Sequence, residues 1–309
     1  MIESTTTFDR SGFEVGRILK GVGGQYEIAT SAGATVVAVP RGIFRKDGIR
    51  PTVGDKVRIE PSGDPDIPFV IADILERKNL MIRPPVANID ILVLTFSVSD
   101  PKPDLALLDK LLILTAKQKI RPIIWLTKSD LDPGSAKRIG AIYSEAGYTV
   151  ILSGRDDAGD FERERETFSG AVVGFAGQSG VGKSTLCNLI SGIEGMEVGM
   201  ISDRLKRGKH TTRHVELVPF AGGYLIDTPG FSSLELLDIG ITVEDVPLGY
   251  PELASVGESC RFADCLHTGE LGCAIATCKI DPDRLSRYRE FIRTLQEHNP
   301  YSGKKGERK

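Results

Sequence analysis

Gly177-Gln178-Ser179-Gly180-Val181-Gly182-Lys183-Ser184 has the spacing G-x-x-x-x-G-K-[ST], and it restricts the possible folds more than any other stretch of the chain. Backbone N–H groups close around phosphates only where glycines allow it. A lysine must then reach the β and γ oxygens, and a hydroxyl must follow to ligate Mg²⁺. Such a loop works when a buried strand runs into it and a helix leaves it, with the phosphates at the helix N-terminus. Ala171-Val172-Val173-Gly174-Phe175-Ala176 reads as that strand, and the run from Thr185 to Ile190 as the helix. The loop therefore implies an α/β core with a nucleoside triphosphate at its strand ends, and Gly177 to Thr185 as its phosphate contacts.

The flanking pattern agrees. Strand-like runs at 91–96, 121–126, 149–152, 215–219 and 224–226 alternate with helical segments at 105–117 and 136–146, which implies a mostly parallel sheet covered on both faces. Upstream, five short strand-like runs (13–19, 25–29, 35–39, 56–60, 69–74) with glycines at the turns favour an OB-type β-barrel, the alternative being an SH3-like barrel. Arg41-Gly42-Ile43-Phe44-Arg45-Lys46 interleaves bases with an aromatic ring, as a single-stranded nucleic acid surface does, unless Phe44 is core. Arg83-Pro84-Pro85 marks a boundary, because paired prolines oppose both helix and sheet. Beyond residue 237 the strand pattern stops. A final helix places Leu285, Tyr288, Phe291, Ile292 and Leu295 on one face and arginines on the other. The expected architecture is multidomain: a barrel with a flexible leader (1–80), a central α/β P-loop domain (81–236), and a small helical zinc-binding domain with a basic, disordered tail (237–309).

Asp227-Thr228-Pro229-Gly230 follows the strand at 224–226, which suits Asp227 to hold Mg²⁺ through water and the Gly230 N–H to face the γ-phosphate. Thr127-Lys128-Ser129-Asp130, at the end of the strand at 121–126, is similar to the guanine-specifying [NT]-K-x-D of GTPases. Asp130 would accept from guanine N1 and N2, and the Lys128 stem would cover the base. Leu152-Ser153-Gly154 is similar to the short loop that completes a guanine pocket. The order is unusual: these elements precede the phosphate loop, whereas in ordinary GTPases they follow it. Between the loop and Asp227 lies Gly208-Lys209-His210-Thr211-Thr212-Arg213, positioned as a first switch in which Thr211 or Thr212 ligates Mg²⁺. Phe231 stands where a Ras-like enzyme has its water-orienting glutamine. Slow intrinsic hydrolysis is expected, with His210 a candidate for orienting water when a partner docks.

Cys260-x₄-Cys265-x-His267-x₅-Cys273 offers the number and type of ligands that close a tetrahedral structural Zn²⁺ site. Cys278 competes with Cys273 for the fourth place, while Cys187 reads as core packing. Clustered cysteines beside a histidine suit a reducing compartment, no apolar stretch is long enough to span a bilayer, and residues 1–5 carry no signal pattern, so a cytoplasmic protein is expected. The net charge of −3 conceals basic runs at 204–213 and 284–309, which imply a polyanionic partner.

Taken together, Arg41-Gly42-x-Phe44-Arg45, Val53-Gly54-Asp55-x-Val57, Arg83-Pro84-x-Val86-Ala87-Asn88-Ile89-Asp90, the phosphate loop, Lys209-His210-Thr211-Thr212, Asp227 to Phe231 and the Cys/His cluster resemble the RsgA family of circularly permuted GTPases. The resemblance covers nearly the whole chain. It implies a GTP hydrolase that assists late maturation of the small ribosomal subunit, binds its rRNA, is stimulated by the subunit, and carries one structural zinc with Mg²⁺–GTP. Thr127 stands where the family has Asn, and Cys278 has no place in the family pattern. The competing readings are a nucleotide-regulated RNA-binding module with negligible turnover, and an ATPase of the same loop class, against which Asp130 counts. Nothing demands more than a monomer.

Overall fold

A computed structural model describes residues 13–42, 44, 48–64, 67–82, 84–154, 161–191, 215–227, 234–254, 256 and 259–298. The chain gathers into two compact units: Met1–Ile91 with Asp160–Phe175 and Ser184–Pro229, and Leu92–Gly159 with Ala176–Lys183 and Gly230–Lys309. The strands in chain order are β1 Glu14–Val22, β2 Gln25–Thr30, β3 Thr35–Pro40, β4 Lys56–Asp64, β5 Ile67–Ile74, β6 Leu80–Ile82, β7 Pro85–Ala87, β8 Ile91–Ser97, β9 Arg121–Thr127, β10 Val150–Leu152, β11 Val172–Ala176, β12 Glu216–Phe220 and β13 Gly223–Asp227. The helices are α1 Leu105–Lys117, α2 Pro133–Glu145, α3 Glu162–Phe168, α4 Lys183–Ser191 and α5 Pro282–Glu297.

In the first unit, β1 pairs antiparallel with both β2 and β4, and β3 pairs parallel with β5, so the five strands close on themselves. That ring is the OB-type barrel rather than the SH3-like one. Its interior is filled by Ile18, Ile28, Ala38, Val57, Ile59 and Ile71, all fully buried on the inward positions of alternating strands. Phe44 is buried as well and belongs to this core rather than to an open stacking surface, while Arg45 and Lys46 lie outside the described residues. The Val53-Gly54-Asp55 motif turns out to be structural. The buried Asp55 carboxylate accepts from Arg77 Nε at 2.7 Å and Nη2 at 2.9 Å, and from the Thr52 N–H at 2.7 Å. The paired prolines do not end the sheet pattern as expected. They sit at a hairpin of β6 and β7 with Ile82 opposite Pro85, and Pro85 opens its strand, where the missing N–H is tolerated. Elsewhere in this unit β13 runs parallel to β11 and antiparallel to β12. Helix α3, which the sequence pattern did not announce, sends Arg165 to the end of α4. There Nε and Nη2 donate to the carbonyls of Ile190 and Leu189 at 2.9 and 2.7 Å, a cation placed on a helix C-terminus.

The second unit orders its strands β10-β9-β8, with β9 and β10 parallel. Strand β8 is buried along its whole length, and α1 is buried over most of its circumference. Hence α1 is a core helix, and its one carboxylate, Asp109, is fully buried. Asp109 is neutralised from α5: Arg284 Nη1 donates to Oδ1, and Arg287 Nε donates to Oδ2 at 2.6 Å. Arg284 also donates to Glu252 Oε1 at 2.6 Å and to the Gly249 carbonyl at 2.7 Å. Its guanidinium lies over the rings of Tyr250, Tyr143 and Tyr148 at 4.2, 5.0 and 5.7 Å. Burial alone would lower the Arg284 pKa, but Asp109 and Glu252 reverse that and raise it, so the side chain stays charged. The expected helix face is correct for Tyr288, Phe291, Ile292 and Leu295, while the placing of every arginine on the outer face is not. Arg284 is 1% exposed and displaces the half-buried Leu285 from the innermost position. No helix among the described residues is long and apolar enough to cross a membrane.

Because the fully buried Asp109 on α1 accepts from both Arg284 and Arg287 of α5, Asp109→Ala is expected to destabilise the protein by about 3–5 kcal/mol, the range for breaking a buried pair on one side. Urea denaturation of the variant beside wild type measures it, and a loss below about 1 kcal/mol would show that water reaches the cluster.

Candidate functional site

Gly177 to Lys183 of the phosphate loop and the proposed guanine loop lie within one unit, and the structure brings them together. Gly177 has φ +135°, and a Cβ there would stand 2.0 Å from the Thr95 carbonyl oxygen on β8, so only glycine lets the loop start where it does. Lys183, the first residue of α4, donates from Nζ to the carbonyls of Gly177, at 3.0 Å, and Gln178. Gln178 fixes the other side of the loop: its Oε1 accepts from the Asp104 N–H and its Nε2 donates to the Lys102 carbonyl, both at 3.0 Å. Asp104 is also the cap of α1, accepting from the Leu107 N–H at 2.9 Å.

Thr127 ends β9 and is buried. Its hydroxyl lies 2.7 Å from the Val181 carbonyl, in the middle of the phosphate loop, and 3.3 Å from the Phe96 carbonyl. A threonine in place of asparagine therefore keeps a hydrogen bond from one loop to the other. Next to it Lys128 adopts φ +56° and directs Nζ to the carbonyls of Asp100 and Gly180. The Ser129 N–H donates to the Ser153 carbonyl at 3.0 Å, and the Ser153 N–H donates to the Leu126 carbonyl at 2.9 Å. Asp130 is exposed, with Gly154 packed against it. Thr127, Lys128, Ser129, Asp130, Ser153 and Gly154 are thus gathered beside Gly177 to Lys183. His210, Thr211, Thr212, Gly230 and Phe231, and the side chains of Ser184 and Asp227, lie outside the described residues.

The second cluster gathers Cys260, Cys265, His267 and Cys273, whose ligand atoms all lie within 4.8 Å of one another. His267 Nδ1 stands 3.6, 3.7 and 3.4 Å from the sulfurs of Cys260, Cys265 and Cys273. Zinc bonds of about 2.3 Å to sulfur and 2.0 Å to nitrogen at tetrahedral angles require N···S separations of about 3.6 Å, so the donors fit that ion. Cys278 is not among them: its thiol donates to the Glu252 carbonyl at 3.3 Å. Burial lowers the His267 pKa, outweighing the pull of Glu270 and leaving the neutral imidazole that ligates metal. Burial pushes the Cys265 thiol up to about 12, so a thiolate at that position needs a cation beside it. Two residues that the sequence did not single out shape this loop. Glu270 accepts from the N–H groups of Leu266, Thr268 and Gly269. Burial would raise its carboxyl, but its own backbone N–H, the Leu266 N–H and the Thr268 hydroxyl and N–H outweigh that and hold it down at about 2. Arg289 on α5 donates to the His267 carbonyl at 2.9 Å. A glutamate inside the ligand spacing was the available signal for the first.

An OB-type barrel, a P-loop with its guanine-type loop upstream, and a Cys₃His centre together define a circularly permuted GTPase with a zinc site. The family model for the RsgA GTPase matches residues 74–237, and that for the RsgA N-terminal domain matches residues 15–66. The chain is 41% identical over 302 residues to the small ribosomal subunit biogenesis GTPase RsgA of Ruminiclostridium cellulolyticum, covering 95% of this chain and 98% of that one. It is 39% identical to the RsgA of a Geobacillus species, covering 92% and 98%. Among solved structures it is similar to YloQ, a circularly permuted GTPase (TM-score 0.76, 34% identity, 95% and 99% covered), and to YjeQ from Thermotoga maritima (TM-score 0.78, 28% identity, 92% and 98% covered). The chain belongs to the RsgA GTPase family, and it is a GTP hydrolase.

The two loops share the Thr127–Val181 bond, so Thr127→Val should weaken GDP binding about tenfold by leaving a buried carbonyl without its donor. Titration calorimetry measures this, and unchanged affinity would dismiss the bond as incidental. Metal analysis should find one zinc per chain in Cys278→Ala and none in Cys273→Ala. Loss of zinc from Cys278→Ala would overturn the four-ligand assignment.

Proposed function

We propose that the chain hydrolyses GTP while assisting late maturation of the small ribosomal subunit, binding its rRNA and being stimulated by it. The observation that carries the reading is the joining of Thr127 to Val181, which sets a guanine-type loop and a phosphate loop side by side although the first precedes the second in the chain. Its relatives are named for small-subunit biogenesis, which supplies the partner. In this reading Asp130 accepts from guanine N1 and N2, and the Lys128 stem covers the base. Ser153 and Gly154 complete that pocket. Gly177 to Thr185 wrap the phosphates, with Lys183 on the β and γ oxygens. Ser184, Asp227 and one of Thr211 and Thr212 hold Mg²⁺, which neutralises charge developing on the phosphates. The Gly230 N–H faces the γ-phosphate. Phe231 cannot orient water, so intrinsic turnover is slow, and His210 takes that role when the subunit docks.

The functional division runs at 1–80, 81–236 and 237–309. The barrel and the basic C-terminal segment contact rRNA, and the central segment times release. The protein works as a cytoplasmic monomer away from membranes.

Purified small subunits are expected to raise the GTPase rate by orders of magnitude, with Lys183→Ala abolishing both basal and stimulated turnover. A rate indifferent to subunits would leave a nucleotide-regulated RNA-binding module instead. In the same assay Asp130→Ala should erase the preference for GTP over ATP.

A further inference from the structure

Trp125 is the only tryptophan of the chain, and it is fully buried in the middle of β9. A buried indole needs an acceptor for its N–H, and here Nε1 donates to Ser153 Oγ at 2.8 Å, with both ends of the bond buried. Ser153 is gripped from two further directions. Its N–H is held by the Leu126 carbonyl at 2.9 Å, and its carbonyl accepts from the N–H of Ser129, the residue before Asp130, at 3.0 Å. The next residue, Gly154, lies directly against Asp130: a Cβ added to it would come 3.1 Å from both Cβ and Oδ1 of that aspartate. The absence of a side chain at Gly154 therefore leaves the room in which the Asp130 carboxyl group lies beside the turn.

We propose that Trp125 is a positioning residue for guanine selection, its indole N–H pinning Ser153, whose carbonyl holds the Ser129 N–H and so sets the backbone from which Asp130 meets the base. This rests on the guanine-pocket reading given above. The role is directional rather than volumetric. Phenylalanine fills much of the same core but leaves the serine hydroxyl free to rotate, with only the backbone bonds to hold the turn. Trp125 touches neither phosphate nor ribose in this scheme, so its effect is confined to the base. The exocyclic 2-amino group is the donor to Asp130 that guanine carries and hypoxanthine lacks.

The test measures the Kd of GDP, IDP and ADP for wild type, Trp125→Phe, Ser153→Ala and the double variant, alongside the thermal midpoint of each. GDP and IDP differ only in the 2-amino group, so their ratio isolates the contact with Asp130. Both single variants are expected to bind GDP about five- to tenfold more weakly, to narrow the GDP/IDP ratio by a similar factor, and to leave ADP unchanged. The double variant should be no worse than either single one, because both remove the same bond. A lowered midpoint with an unchanged GDP/IDP ratio would reduce Trp125 to core packing and overturn the proposal. Should Trp125→Phe fail to fold, Ser153→Ala delivers the same ratio. If wild type itself prefers GDP over neither ADP nor IDP, the guanine reading fails, an outcome separate from loss of the Trp125 effect.

Discussion

A single buried carboxylate organises the larger part of the second unit. Asp109 sits on a helix otherwise packed with leucine and isoleucine, where an unpaired charge would cost several kilocalories per mole. Neutralising it draws in Arg284 and Arg287, which fixes the rotation of α5. Arg284 in turn gathers Glu252, the Gly249 carbonyl and three tyrosine rings. These partners come from three separate stretches of chain, Asp109 on α1, Tyr143 with Tyr148, and 249–252, so the cluster specifies one packing where apolar contacts alone would accept several. The Cys/His loop depends on the same helix through Arg289, and the start of α1 is clamped to the phosphate loop through Gln178. A run of bonded elements therefore connects the loop to the metal centre inside one unit.

The permuted order of the nucleotide motifs places a demand on the fold that ordinary GTPases do not face in the same form. The guanine-type loop precedes the phosphate loop in the chain, and the two are joined by bonds from side chains to backbone carbonyls rather than by sequence proximity. Thr127 provides that joint with one hydroxyl, and Gly177 makes room for it by lying flat against the Thr95 carbonyl. Both are short-range devices. Removing either would loosen the register of two loops that must contact one nucleotide at opposite ends.

The metal centre follows another logic. Its loop has few buried apolar groups, and Glu270 substitutes for a core by satisfying three N–H groups at once. A closed Cys₃His set leaves no coordination position for chemistry, so the ion contributes folding energy to a segment too small to fold by burial.

Much of this was legible in the sequence because it is local. The phosphate-loop spacing, the barrel strands, α1 with its bounds, and the ligand spacing of the Cys/His loop all depend on residues within one turn or one hairpin of each other. Periodicity and turn chemistry report such neighbours directly. Three features were decided only by tertiary structure. The choice between OB-type and SH3-like barrels turned on β3 pairing with β5, a contact that strand propensity does not encode. Exclusion of Cys278 from the metal centre required knowing that Glu252 would be beside it. The inward turn of Arg284 contradicted the helix pattern, because a polar residue on an apolar face is unfavourable until a distant carboxylate is buried against it. Sequence by itself determined which chemical groups the chain carries and how each local element folds. Tertiary structure decided which of them meet, because the stability of a buried charge or hydroxyl depends on partners many residues away.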